Sequence, residues 1–136
     1  MASRAEKLAW ITTALAALHH IDHVLRHDHS GWPFRPEVTP FTYSLTVYVA
    51  IAIVLVARGW PRLRIALAGV LAIFPTLAHV FLETPLDQYR TWALRPETNL
   101  LQIASPFLGV TAVLVTVLLS LFAFLTFFAF LRSRGV

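Results

Sequence analysis

Leu8–His29 reads LAWITTALAALHHIDHVLRHDH. Its first half is almost entirely apolar, and its second half holds five of the six histidines in the chain. On a helix each residue turns about 100°, so His19, His23 and His27 form one stripe with His20 beside it. All four imidazoles then fall within a sector about 100° wide, with Asp22 and Arg26 just off it. Neutral imidazoles close to carboxylates are ligands for transition metals. Ionisable groups are costly beside lipid and mark function when they occur there. The stretch therefore reads as a membrane helix whose last third carries a ligand set.

The rest of the chain agrees with a bilayer setting. Of 136 residues, 57% are hydrophobic and 13% charged, and the mean hydropathy is +0.69. Soluble domains are nearer a quarter charged. The pI of about 10.4 is better explained by basic residues flanking apolar spans than by nucleic-acid binding. There is no cysteine, which removes disulfides, thiolate metal sites and iron–sulfur clusters. The N-terminus leads into the apolar run without a small-residue cleavage pattern, so it reads as a first membrane helix and not as a removed signal.

The expected architecture is an all-α integral membrane protein, one domain over residues 1–136, with four transmembrane helices in an antiparallel bundle. The spans are about 5–27, 41–57, 63–83 and 99–131. The cluster of Gly31, Pro33 and Pro36 ends the first span. The second opens with Thr42, Tyr43, Ser44, Thr46 and Tyr48 and then turns aliphatic. Pro75 interrupts the third, and Thr84-Pro85 ends it, with Asp87 in the loop beyond. The fourth starts with Asn99, Gln102, Ser105 and Pro106 and is longer than a span needs. Arg4, Lys7, Arg58, Arg62, Arg64, Arg132 and Arg134 fall on one side of this arrangement, and Arg26, Arg35, Arg90 and Arg95 on the other. Both termini and the basic turn are then cytoplasmic. Four segments place their polar groups at one level, in the non-cytoplasmic half. Four helices make a thin bundle, which leaves a homo-oligomer open, although no small-x-x-x-small motif stands out.

The expected metal ligands are His19, His20, His23, His27, His79 and Glu83, holding copper, iron or zinc. His79 and Glu83 are four apart and share a face. Haem between His20 and His79 is an alternative cofactor. The candidate catalytic groups are Glu83, Asp22 and Tyr43, able to move protons at the histidine level; the Asp22–Arg26 pair also fits a structural i,i+4 contact. The clustered histidines are loosely similar to the histidine boxes of integral membrane fatty-acid hydroxylases and desaturases, which carry several boxes on cytoplasmic helices. His79-Val80-Phe81-Leu82-Glu83 is faintly similar to the His-x-x-x-Glu element of the sterol-isomerase and sigma-2-receptor-like membrane family. Neither similarity carries a fold or a site to this chain.

The expectation is a membrane enzyme carrying out metal-dependent oxidation or hydroxylation of a lipid-soluble substrate. Two alternatives stay open: a non-enzymatic carrier or transporter of haem or metal, and a metal-free acid–base isomerase or cyclase using Glu83 and Asp22.

Overall fold

The structure is a computed structural model that describes residues 2–26, 40–93 and 99–133, without the side chains at 26, 40, 41 and 99–103. The described residues are all helical apart from turns: α1 Arg4–Arg26, α2 Pro40–Ser44, α3 Val47–Val56, α4 Pro61–Phe81, α5 Pro85–Ala93 and α6 Asn99–Arg132.

A reciprocal cap fixes the start of α1. The Ser3 amide donates to Glu6 Oε2 at 3.0 Å and the Glu6 amide to Ser3 Oγ at 3.2 Å, which satisfies two amides that a helix start leaves open. The buried face of α1 is Ala5, Ala9, Thr12, Ala16 and His19, at alternating spacings of four and three. α6 answers with Ser105, Ala112, Thr116, Leu119, Ala123, Thr126 and Phe130. Thr12 Oγ1 meets Thr126 Oγ1 at 3.0 Å, and His19 Nδ1 meets Thr116 Oγ1 at 3.1 Å. As the number rises on α1 it falls on α6, so the two run antiparallel. Small side chains let two backbones approach closely, and the threonine hydroxyls bind across the seam. The small-residue row that was not evident as a motif is thus present, and it is used inside the chain.

At the end away from the histidines, a charged knot ties three elements. Arg58 Nε lies 3.0 Å and Arg64 Nη2 3.6 Å from Glu6 Oε1. Arg64 Nε donates to the Val54 carbonyl at 2.7 Å, and its guanidinium lies 4.4 Å from the centre of the Phe130 ring. The turn between α3 and α4 is thereby fastened to the start of α1 and the end of α6. Beside the knot, Ala5, Ala9, Val54, Ile65, Ala68 and Phe130 form an apolar core; Ala16, Ile51 and Leu119 form a second one further along.

Two expectations about elements are corrected. The second segment is not one helix over 41–57: α2 and α3 are separated at Leu45 and Thr46. There the Thr46, Tyr48 and Val49 amides take i−3 carbonyls, and Thr46 Oγ1 donates to the Tyr43 carbonyl at 2.6 Å. A hydroxyl that competes for a backbone carbonyl tightens the turn locally. Asp87 does not lie in a loop but in the first turn of α5. The Thr84 amide donates to Asp87 Oδ2 at 3.1 Å and the Asp87 amide to Thr84 Oγ1 at 3.3 Å. Thr84-Pro85-Leu86-Asp87 is a capping box with proline at the first helical position.

Among the described residues two helices, α4 and residues Ala104–Arg132 of α6, are long and apolar enough to cross a membrane. α3, at ten residues, is about 15 Å long, half of a hydrocarbon core of about 30 Å.

Candidate metal centre

α1 ends, and α4 stops, at the same level. The α4 helix closes as the Leu82 and Glu83 amides both reach the Ala78 carbonyl, at 2.8 and 3.1 Å, which turns Glu83 off the helix and back toward α1. His23 Nε2 then lies 3.1 Å from His19 Nε2 and 3.2 Å from Glu83 Oε2. The three ligand atoms lie within 4.8 Å of one another. With metal–ligand bonds of about 2.1 Å, neighbouring ligand atoms are about 3.0 Å apart around an octahedral ion and about 3.4 Å apart around a tetrahedral one. Two of the three separations, 3.1 and 3.2 Å, fall between those edges; without an ion they are hydrogen bonds from His23 Nε2–H, a proton that a bound ion would displace. His19 is buried, and His23 and Glu83 are mostly covered.

The surrounding hydrogen bonds set which nitrogen of His19 is available. The Thr116 hydroxyl lies 3.1 Å from the Ala112 carbonyl, one turn back on α6. A carbonyl only accepts, so the hydroxyl proton goes there and Thr116 Oγ1 accepts from His19 Nδ1–H. His19 Nε2 is then the lone-pair nitrogen, and it is the one that faces His23. An outer partner that fixes the tautomer of a ligating imidazole is a regular feature of metal sites.

His79 stands next to this group. Its ring centre is 4.5 Å from that of His19, and its Nδ1 is 3.4 Å from Glu83 Oε2. Gln88 of α5, 1% exposed, packs against both His79 and Glu83. Gln88 Nε2 is 3.1 Å from His79 Nδ1 and 3.3 Å from Glu83 Oε2.

His20, expected among the metal ligands, is not part of this group of three. One residue step along α1 turns its ring away to α2 and α3. Nδ1 is 2.8 Å from the Ala16 carbonyl and 3.0 Å from the Tyr48 hydroxyl, and Nε2 is 2.9 Å from Ser44 Oγ. The tyrosine that reaches a histidine is Tyr48; Tyr43, expected as a catalytic group, is 48% exposed on α2. Asp22, the other expected acid, accepts from Trp92 Nε1 at 2.8 Å and so ties α1 to α5. His27 lies outside the described residues, as do the side chains of Arg26, Asn99 and Gln102.

Thr116, Gln88 and α5 itself were not singled out from sequence. Thr116 sits in an aliphatic run where a lone hydroxyl reads as filler. For α5 the signal was available in Thr84-Pro85-Leu86-Asp87.

No family model matches the chain, and neither a curated protein nor a solved structure is similar to it.

Proposed function

We propose that the protein is a multi-pass membrane metalloprotein that binds a transition metal ion through His19, His23 and Glu83 and uses it, with dioxygen as the oxidant and an external electron donor, to oxidise or hydroxylate a lipophilic small molecule. The observation that carries this reading is the convergence of two imidazole Nε2 atoms from α1 and one carboxylate oxygen from the turn after α4, at 3.1 and 3.2 Å. Two histidines and one carboxylate on one face of an ion, with the other positions open, is the ligand set of non-haem iron oxygenases. A bare ion fits better than haem, because the His19 and His79 rings are 4.5 Å apart in an edge contact and His20 is engaged by α2 and α3.

The approach to the site favours a lipophilic substrate. Ile21, Val24 and Leu25 on α1, Val80, Phe81 and Leu82 at the end of α4, and Phe107 on α6 are exposed at that level. Exposed apolar surface of this extent belongs against lipid or a partner. The membrane reading uses α1, the α2–α3 pair, α4 and α6 as four spans. The opposite end carries Arg4, Lys7, Arg58, Arg62, Arg64 and Arg132, which puts that end in the cytoplasm and the metal site on the other side.

Two measurements test the reading. Metal analysis of the detergent-purified protein should return about one equivalent of iron, copper or zinc; a metal-free protein that stays so after incubation with each ion would replace the oxidative reading with acid–base chemistry by the Glu83–His23 pair. Reporters that work only in the cytoplasm, fused to each terminus, should both be active. Silence at either one would overturn the topology.

A further inference from the structure

The feature left over by the metal reading is Gln88. It is the most deeply covered large side chain among the described residues, it comes from a helix that supplies no ligand to the site, and its amide nitrogen touches both His79 and Glu83 where those two meet. Its orientation follows from chemistry. A carboxylate only accepts, so the group 3.3 Å from Glu83 Oε2 is the NH2. The same nitrogen is 3.1 Å from His79 Nδ1; having only protons to offer, it makes His79 Nδ1 an acceptor and leaves the imidazole proton on Nε2. The lone pair that would bring His79 onto a metal shared with Glu83 is thereby taken up. Gln88 Oε1 is buried with no hydrogen-bond partner among the described residues. A buried acceptor left unpaired is a cost to stability, so the amide is held here by what its NH2 does.

We infer that Gln88 holds His79 out of the coordination shell, so that the ion keeps two imidazoles and one carboxylate and its remaining positions stay open to a small exogenous ligand. This rests on the metal reading above. Without the amide, the lone pair on His79 Nδ1, which lies 3.4 Å from Glu83 Oε2, is released and can turn to the ion as a third imidazole. A shell of three imidazoles and one carboxylate completes a tetrahedron and resembles a closed structural site, while three protein ligands with an open position mark a working one. Gln88 is a positioning residue in this scheme: it sets coordination number without touching the ion.

The test uses the full-length protein loaded with zinc alone and X-ray absorption to count imidazoles per ion. Two are expected in the wild type and three in Gln88→Leu and in the unbranched Gln88→Met, which guards against a misfolded first variant. Gln88→Leu combined with His79→Ala should return to two. Three imidazoles in the wild type, or two in both Gln88 variants, would overturn the inference. Nitrogen-15 NMR of the metal-free protein separates this from failure of the metal reading. His79 should be held as the Nε2–H tautomer in the wild type and become a mixture in Gln88→Leu, whether or not zinc binds; an unchanged tautomer would sink the role given to the amide.

Discussion

His23→Ala is expected to bring bound metal from about one equivalent to background. His23 Nε2 is the atom within 3.1 Å of His19 Nε2 and 3.2 Å of Glu83 Oε2, so its loss leaves two ligand atoms with no bridge between them. Glu83→Ala should do the same, since it removes the only carboxylate in the group. His20→Ala should keep its metal, because that ring is held by Ala16, Tyr48 and Ser44. Thr116→Val is the graded case. It deletes the acceptor that keeps the His19 proton on Nδ1, and loss of such an outer partner weakens metal binding about 10–100-fold. Imidazoles bind metal only when neutral, so occupancy should fall as the buffer is made acidic. Mass-spectrometric metal content and zinc titration across the five proteins check all of this. Equal metal in wild type, His23→Ala and Glu83→Ala would end the assignment of the ligands.

Gly109→Ala is expected to destabilise the protein more than the same change at the other glycines of the described helices and turns. A Cβ at 109 would stand 2.9 Å from the Tyr89 carbonyl oxygen, 3.0 Å from Tyr89 Cδ2 and 3.4 Å from Trp92 Cβ. The nearest atom is backbone, so α5 as a whole must move off α6. Overpacking of that kind costs about 1–3 kcal/mol. The displacement also withdraws Gln88 and the Trp92–Asp22 bond from the site. At Gly69 a Cβ would meet only the Phe127 ring, at 3.2 Å, and an aromatic ring can yield. At Gly59 nothing lies within 4 Å, and alanine there should be neutral. Thermal unfolding in one detergent should therefore rank the variants Gly109→Ala, Gly69→Ala, Gly59→Ala from least to most stable. Equal midpoints for Gly109→Ala and Gly59→Ala would show that α5 is not seated where the contact places it.

The all-helical class was legible because it depends on local pattern. Apolar runs bounded by Pro, Gly and Arg mark helices and turns regardless of what packs against them, and α1, α4 and α6 begin and end within a few residues of the expected spans. The nearness of His19 to His23 was legible for the same reason, since a four-residue step is set by the helix alone. The break at Leu45–Thr46 and the capped start of α5 are also local, but they hang on single hydroxyl groups that an apolar pattern overrides. What separates His19 from His20 could not be read from spacing. Both lie in the same sector of α1, and only the placement of α6 on one side and α2–α3 on the other sends one ring to Thr116 and Glu83 and the other to Ser44 and Tyr48. Gln88 and Thr116 depend on packing in the same way: each is an ordinary polar residue until Gly109 lets α5 close on α6 and small residues let α1 close on α6. Sequence thus determined the helices and the residues available for chemistry. Tertiary structure decided which of them meet, because ligand geometry is a matter of a few tenths of an ångström between atoms on different helices, and no periodicity along one helix sets that distance.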